Sequence, residues 1–333
     1  MKETIVRLWR RVAATWGRVL GPEGAADAAP DADMLAGQFT HQGRSTDYRL
    51  YVPPGGAWRA RPLVLMLHGC QQDPLDFALG TQMNKHARAH GVLVLYPAQS
   101  DRANPQRCWN WFKPQHQHRA RGEPALLAAL VREVMAQQAV DPARVYVAGL
   151  SAGGAMADVM AQTHPDLFAA VGIHAGVMAG AAHSVMAALS VMQNGPTLPL
   201  AMSMVGGPRM RVPAIVFQGD ADSTVHWRNA ERIVLAALGG DDSGMSQTQG
   251  EAPGGRRFTR TCYAARAVTR ADVEYWLVHD SGHAWSGGSA AGSYTDPAGP
   301  DASAQMLRFF LAHPAPVSAH GSFPVPAAVS AAT

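Results

Sequence analysis

The sequence predicts an α/β fold in which helices cover both faces of a mainly parallel central sheet. Three observations support this prediction. Short apolar runs alternate with helical patterns from about residue 38 onwards, and this alternation is typical of a parallel sheet. A strand-type run at 144–148 leads into Gly149-Leu150-Ser151-Ala152-Gly153, and a helical pattern of small residues follows. An aspartate and then a histidine come directly after two later strand patterns.

The composition favours one large domain. The chain has 333 residues, enough to bury a full core. A formal net charge of +3 with 16% charged residues argues against a nucleic-acid-binding protein. The apolar runs are too short to span a membrane. The three cysteines, Cys70, Cys108 and Cys262, allow at most one intramolecular disulfide, so they leave the redox compartment open.

The two ends of the chain differ in composition from its central part. Residues 1–20 have the pattern of a basic amphipathic helix, without a conventional signal peptide. Such a helix suits adsorption to a lipid or polyester surface; docking on the protein's own body, or a frayed terminus, is an equal alternative. We therefore predict a helix and flexible linker at 1–37, one α/β domain at 38–313 and a disordered tail at 314–333.

The strand and helix patterns follow one another in a regular order. Predicted strands cover 48–52, 63–67, 92–97, 144–150, 169–175, 212–218 and 273–278, and predicted helices cover 76–90, 123–140, the segment after Ser151 and 301–313. We expect residues 178–211, rich in Met, Ala, Gly and Pro, to form a cap-like insertion after the sixth strand of the fold. Residues 240–256 are expected to be a surface excursion.

Ser151 is the predicted nucleophile. A strand, a sharp turn and a helix follow one another here, with the serine in the turn. Such a turn holds the serine in a strained backbone conformation, so it needs small residues two positions before and after it. Gly149 and Gly153 meet that need. The alternative is a glycine-rich turn around a buried serine, but the partner residues in later loops favour a nucleophile.

Two later loops supply the partners that a nucleophilic serine needs. One late strand pattern leads into Asp220 and Asp222, and the last one leads into a loop with His283. The order serine, acid, histidine is that of the α/β-hydrolase fold. We predict Asp222 as the acid and His283 as the general base, with Asp220 bracing the turn and His279 still within the strand pattern. Ser151, Asp222 and His283 would then form a catalytic triad for acyl transfer.

The predicted oxyanion hole consists of the backbone N–H groups of Cys70 and Ala152. A fully apolar strand pattern runs straight into His68-Gly69-Cys70-Gln71. In this architecture such an early loop supplies one donor, and the residue after the nucleophile supplies the other. Taken alone, the His68-Gly69 pair would be an ordinary strand-terminating turn. The proposed chemistry requires no metal and no organic cofactor.

The segment 104–121 breaks the alternation and is unusually aromatic. It contains Cys108-Trp109-Asn110-Trp111-Phe112, a run too apolar for a merely solvated connection. Two interpretations stay open: the run lines an acyl or polymer groove, or it packs over the core as a plug. The nearby histidines at 116 and 118, with the one at 41, lack the Cys or carboxylate spacing of a metal site, so we interpret His41, His116 and His118 as solvated.

Five motifs together resemble the catalytic domain of the polyhydroxybutyrate (PHB) depolymerase esterases. They are His68-Gly69-Cys70-Gln71, Cys108-Trp109-Asn110-Trp111-Phe112, Gly149-Leu150-Ser151-Ala152-Gly153-Gly154, Gly219-Asp220-Ala221-Asp222-Ser223-Thr224-Val225 and Gly282-His283-Ala284-Trp285, and the likeness covers about residues 38–313. The resemblance implies an α/β-hydrolase catalytic domain that hydrolyses short-chain polyhydroxyalkanoate or a related ester. It also implies a Cys70–Cys108 disulfide, a free Cys262, and a substrate groove near Trp109, Trp111 and Trp285.

The sequence departs from this family at its ends. Secreted polymer-degrading members usually have a signal peptide and a Thr- or Ser-rich linker to a polymer-binding domain, and neither is visible here. Oligomers, amorphous granules or small esters are therefore favoured over crystalline polymer, with residues 1–20 as a candidate granule-binding segment. The resemblance favours an extracellular or periplasmic protein, whereas the N-terminus favours a cytoplasmic, granule-associated one. A feruloyl or acetyl-xylan-type carbohydrate esterase and a catalytically silent binding protein are the alternative functions.

Overall fold

The computed structural model describes residues 34–55, 60–196, 212–239, 244–264 and 272–316. In this part of the chain the strands are β1 (Met34–His41), β2 (Arg44–Tyr51), β3 (Arg61–Leu67), β4 (Leu93–Pro97), β5 (Val140–Leu150), β6 (Ala170–His174), β7 (Ala214–Gly219), β8 (Met245–Glu251), β9 (Arg257–Tyr263), β10 (Val273–Val278), β11 (Trp285–Ser286) and β12 (Thr295–Asp296). The α-helices are α1 (Pro74–Thr81), α2 (Met83–His90), α3 (Gly122–Gln137), α4 (Ala152–Thr163), α5 (Val185–Asn194), α6 (Arg228–Leu238) and α7 (Ala302–Ala312), and a short 3-10 helix covers Pro114–His116.

A ten-stranded sheet has the order β1-β2-β4-β3-β5-β6-β7-β10-β9-β8. The central strands pair in parallel: β4 with β3, β3 with β5, β5 with β6, β6 with β7, and β7 with β10. The strands at both edges pair antiparallel. The predicted fold class, a mainly parallel sheet with flanking helices, is confirmed.

The apolar strand β3 shows why helices cover both faces. Its side chains alternate between two separate core clusters: Leu63, Leu65 and Leu67 enter one, and Val64 and Met66 enter the other. The first cluster includes side chains of α3, α4 and α6, and the second includes side chains of α1, α2 and α7. A strand buried on both faces has to be apolar throughout, as the sequence of β3 is.

The candidate site lies at the carboxyl edge of the parallel strands. Ser151 follows the last residue of β5, His68 follows β3, and the loops with Asp222 and His283 follow β7 and β10. The carboxyl ends of parallel strands share one edge of a sheet, so residues far apart in sequence meet there.

Three local predictions are wrong. The predicted helix at 76–90 is two helices, because Gln82 adopts a left-handed conformation with a φ of 52° and ends α1. Strand β1 begins at Met34, so residues 34–37 belong to the sheet and not to the linker. The predicted excursion at 240–256 contains β8, a mostly exposed edge strand whose polar sequence hides its strand character.

Several predictions fall wholly or partly outside the described residues. The helix predicted at 1–20 and residues 317–333 of the tail lie outside them. Helix α5 lies within the described part of the predicted cap, residues 178–196, and residues 197–211 lie outside the described residues. Among the described helices, none is both long enough and apolar enough to cross a membrane.

Candidate active site

Ser151 occupies a sharp turn between β5 and α4. Its backbone has a φ of 57°, a region that is costly for any residue other than glycine. The Ser151 N–H donates to the carbonyl oxygen of His174 at 2.8 Å and so helps to hold the turn. A Cβ atom on Gly153 would lie 2.6 Å from the His68 carbonyl oxygen, and one on Gly149 would overlap the Gly153 carbonyl. Both positions therefore require glycine.

Asp222 and His283 form a buried pair. The Nδ1 atom of His283 lies 2.7 Å from Oδ2 of Asp222, and the two side chains are 10% and 0% exposed. The other carboxylate oxygen, Oδ1, accepts hydrogen bonds from the N–H groups of Thr224 and Val225, each at 2.8 Å. Burial acts to raise the pKa of Asp222, but His283 and these N–H donors outweigh it and hold the pKa below its usual value.

The Asp222 carboxylate also fixes the tautomer of His283. An ionised carboxylate only accepts hydrogen bonds, so Nδ1 of His283 carries the proton and Nε2 is left with its lone pair. That lone pair is the group that a general base needs. The hydrogen bonds of the described residues include none from the Ser151 hydroxyl to His283; catalytic contacts of this kind often tighten only when substrate binds.

His174 joins the turn at Ser151 to the loop that contains His283. Its carbonyl oxygen accepts the Ser151 N–H, and its Nε2 atom accepts the N–H of Ser286 at 2.9 Å. The ring lies between Phe217 and Trp285, with centroids 5.6 Å and 5.1 Å away. Burial, with a contribution from His283, lowers the pKa of His174 to about 3. His174 is therefore neutral near pH 7 and connects the two halves of the site.

A second Asp–His pair lies at the start of the same loop. Oδ2 of Asp220 is 2.8 Å from Nδ1 of His279, and Oδ1 accepts the Asp280 N–H at 2.7 Å. The Nε2 atom of His279 is 2.9 Å from the Thr259 hydroxyl. These side chains are about one-third exposed, and they fix the root of the loop that carries His283.

The predicted oxyanion loop, residues 68–71, is held by the buried side chain of His68. Burial lowers the pKa of His68 to about 4, so the ring is neutral at pH 7. Its Nδ1–H donates to the Gly69 carbonyl at 2.7 Å, and its Nε2 accepts the Gln99 N–H at 3.1 Å. The Gly69 N–H donates to the side chain of Gln72 at 2.8 Å. The loop is thereby fixed on both sides of the peptide that contains the Cys70 N–H.

A disulfide joins Cys70 to Cys108, as the resemblance implies, and Cys262 is free. The Gln71 N–H also donates to the Gln106 carbonyl at 2.8 Å, so the oxyanion loop is tied to the segment 103–113. Within the described part of the chain, no hydrogen bond uses the N–H of Cys70 or of Ala152. Both groups are therefore available to a substrate oxygen.

A cavity of about 240 Å³ opens beside Ser151. Its walls include residues of the segment 103–113, among them Trp111 and Phe112, and apolar side chains of α5. A pocket with mainly apolar walls and a few polar groups is typical of a small-molecule site.

The buried carboxylate of Glu123 stabilises the cavity wall through hydrogen bonds. Its carboxylate accepts hydrogen bonds from the Gln99 side chain at 2.6 Å, the Asn110 N–H at 2.7 Å and the Asn110 side chain at 2.6 Å. Gln99 also donates to the Cys108 carbonyl at 3.1 Å. Since the Gln99 backbone N–H bonds to His68, one network runs from the cavity wall to the oxyanion loop.

The chain is similar in sequence to known esterases. A family model described as "Esterase PHB depolymerase" matches residues 46–254, which is more than half of the chain. The chain belongs to this family. It is 34% identical to poly(3-hydroxyalkanoate) depolymerase C of Paucimonas lemoignei over 193 residues, which are 55% of this chain and 46% of the relative. It is 33% identical to feruloyl esterase B of Neurospora crassa over 143 residues, which are 42% of this chain and 48% of the relative.

The chain thus spans less than half the length of these two relatives. Among solved structures, an acetyl xylan esterase from Aspergillus awamori is similar to this PHB depolymerase family member with a TM-score of 0.59 at 20% identity. The likeness covers 72% of this chain and 89% of that structure. At this identity the match concerns the fold alone, and it agrees with the α/β-hydrolase architecture.

The three predicted groove tryptophans of this PHB depolymerase family chain have different positions. Trp111 lines the cavity. Trp109 and Trp285 are each 1% exposed and belong to the two core clusters. Trp109 packs on His68, and Trp285 packs on His174 and donates its N–H to Ser303. Both tryptophans support the site from behind, so their prediction as groove residues is corrected. The aromatic segment is both a cavity wall and a plug.

The histidines interpreted as solvated also differ from one another. His118 is exposed, but His116 is buried against Glu123 and accepts the Glu123 N–H at 2.9 Å. Burial lowers the pKa of His116. Within the described residues, no group of three His, Cys, Asp or Glu side chains is arranged to hold a metal ion.

Sequence reasoning did not find His174, Gln99 or Glu123. His174 has no motif, since it is the last residue of an ordinary buried strand. The only available signal for Glu123 was an acidic residue in the first turn of a predicted helix, which is common at helix N-termini for other reasons.

Proposed function

We propose that this chain is a serine esterase that hydrolyses short-chain polyhydroxyalkanoate, such as poly(3-hydroxybutyrate) or its oligomers, through an acyl-enzyme intermediate. The observation that carries the proposal is the buried Asp222–His283 pair at the same sheet edge as Ser151, whose turn follows β5. Membership of the PHB depolymerase family supports the polyester substrate.

In the first step, His283 acts as the general base. Its Nε2 takes the proton of the Ser151 hydroxyl as the serine oxygen attacks the ester carbonyl. The positive charge that then forms on the imidazole is stabilised by Asp222, 2.7 Å from Nδ1. Because the carboxylate is also held by the N–H groups of Thr224 and Val225, it needs no reorientation during the step.

The carbonyl oxygen becomes negatively charged in the tetrahedral intermediate. The N–H groups of Cys70 and Ala152 are the proposed donors to it, and removal of one such donor typically costs about 100- to 1,000-fold in turnover. The intermediate collapses when His283 returns the proton to the leaving alcohol. A water molecule, deprotonated by the same imidazole, then releases the acyl group from Ser151.

The cavity walls fit an aliphatic substrate. Val185, Ala188 and Met192 of α5 face the cavity, together with Trp111 and Phe112. Apolar walls of this kind would bind the hydrocarbon part of a short hydroxyalkanoate unit. Adsorption to a granule or lipid surface through residues 1–20 stays a prediction, since those residues lie outside the described part of the chain. An extracellular or periplasmic location, which the family resemblance favours, and the alternative of a cytoplasmic, granule-associated protein also stay predictions.

A second candidate is a feruloyl or acetyl-xylan-type carbohydrate esterase. It is favoured by the similarity to feruloyl esterase B, which is close in identity to the depolymerase match. A panel of amorphous poly(3-hydroxybutyrate), hydroxybutyrate oligomers, feruloylated sugars and acetylated sugars separates the two. We expect turnover of the hydroxybutyrate esters, with none by Ser151→Ala. Preference for the sugar esters would establish the second candidate, and no turnover of any ester would leave a silent binding protein.

A further inference from the structure

The cavity beside Ser151 has one charged side chain among its lining residues, that of Lys113. The other lining residues are apolar or carry neutral amide, hydroxyl or sulfur groups. Lys113 directly follows Phe112 on the wall formed by the segment 103–113 and is half-buried. Neither the triad nor the oxyanion hole uses it.

The ammonium group of Lys113 lies near the ring of Phe112. Nζ of Lys113 is 6.0 Å from the ring centroid of Phe112, and that ring also lines the cavity. A cation over an aromatic face is weakly attracted to it, so the contact holds the ammonium near the wall.

No carboxylate of the described residues forms an ion pair with Lys113. The ion pairs of the described residues do not include Lys113. Glu123 forms no ion pair with Lys113 among the described residues; its oxygens accept hydrogen bonds from Gln99 and Asn110. An unpaired cation on a largely apolar wall attracts an anionic ligand group and is worth more there than in open water.

We propose that Lys113 binds the free terminal carboxylate of a short hydroxyalkanoate oligomer, so that the site favours oligomer acids over uncharged esters of the same length. The inference rests on the proposed function and specifies its substrate class. Internal segments of a polyester and acylated neutral sugars carry no negative charge, whereas every oligomer released by hydrolysis ends in a carboxylate. Lys113 would therefore direct the enzyme towards soluble fragments.

The test compares the hydroxybutyrate trimer as the free acid with its methyl ester. Lys113→Met keeps the length of the side chain and removes its charge. Lys85→Met is the matched control, because Lys85 is exposed on α2, does not line the cavity and changes the net charge equally. For Lys113→Met we expect KM for the acid to rise about fivefold with kcat unchanged. A loss of affinity of this size is expected when one partly exposed ion pair is removed. KM for the methyl ester should stay the same.

Added salt provides a second readout. KM of the wild type for the acid should rise with ionic strength, and Lys113→Met should lose most of this dependence. An equal rise of KM for acid and methyl ester, no rise for either, or the same effect in Lys85→Met would overturn the proposal.

Binding of the trimer acid to inactive enzyme separates failure of this inference from failure of the proposed function. In calorimetry, Ser151→Ala should bind the acid more tightly than the Ser151→Ala, Lys113→Met double variant. If the wild type hydrolyses neither trimer nor amorphous poly(3-hydroxybutyrate), the proposed function is wrong. Hydrolysis of both trimers with equal binding by the two variants overturns only the role of Lys113.

Discussion

The Asp222→Asn substitution tests the division of labour in the candidate triad. The amide oxygen of asparagine would replace Oδ1, which accepts the Thr224 and Val225 N–H groups at 2.8 Å. The amide NH₂ would then replace Oδ2, 2.7 Å from Nδ1 of His283. Two donors cannot face each other, so His283 must move its proton to Nε2 and lose the lone pair that accepts the Ser151 proton. By analogy with other triads we expect kcat to fall about 10⁴-fold, or about 5.5 kcal/mol in the activation barrier.

Asp220→Asn is a matched control for this prediction. It makes the same change two residues earlier, in the Asp220–His279 pair with its 2.8 Å contact. That pair is about one-third exposed, and exposed ion pairs contribute at most about 1 kcal/mol to stability. Since the Asp220 carboxylate bonds to His279 and Asp280 and not to the candidate triad, kcat should fall less than about tenfold. Both variants are measured with a soluble aryl ester, after circular dichroism has shown that they are folded. Equal losses in the two variants, or a kcat of Asp222→Asn within about tenfold of the wild type, would refute the reasoning.

Three further predictions concern the stability of the site. Gly153→Ala should lower the free energy of unfolding by about 3 kcal/mol or more, because its Cβ would press on the Leu67 and His68 carbonyls. In the control Gly43→Ala, the new Cβ meets no neighbour and only the positive φ is unfavourable, so the free energy of unfolding should fall by only about 1 kcal/mol. Equal losses of the two variants in urea denaturation would contradict this account of the turn. Glu123→Gln should lower the free energy of unfolding by about 3 kcal/mol, because in either orientation the new amide NH₂ faces an N–H donor of Gln99 or Asn110. An unchanged midpoint in urea denaturation would show that the network contributes little to stability. In the folded protein the pKa values of His68 and His174 are about 4 and 3, below the ordinary 6.5, so the stability that their neutral rings contribute is complete above pH 6.5 and is lost as the pH falls towards those values. Each histidine should lower the free energy of unfolding by about 2 kcal/mol between pH 7.5 and pH 5. Equal stability at the two pH values, measured by urea denaturation, would argue against neutral buried rings.

The sequence allowed the sheet edge and the triad candidates to be predicted because both depend on local patterns. Strand runs that end in Ser151, Asp222 and His283 place these residues at one edge through the rules of parallel sheets alone. The strand β8 was missed because its side chains are nearly all polar and exposed, so they carry no burial pattern.

Contacts between distant side chains were not predictable in the same way. The residue type alone does not show which tryptophan lines a cavity and which packs in the core, as Trp111 does the first and Trp109 and Trp285 do the second. His174 and Glu123 support the site through hydrogen bonds to residues 112 and 13 positions away, a separation that no periodicity in the sequence records.

The most direct test of the account is the covalent labelling of Ser151. The wild type is incubated with a fluorophosphonate ester, and the site of the adduct is identified by peptide mass spectrometry. We predict a single adduct on Ser151, with its formation blocked in Ser151→Ala and slowed strongly in His283→Ala. Ester turnover by the wild type without an adduct on Ser151, or turnover that survives in Ser151→Ala, would contradict the central claim.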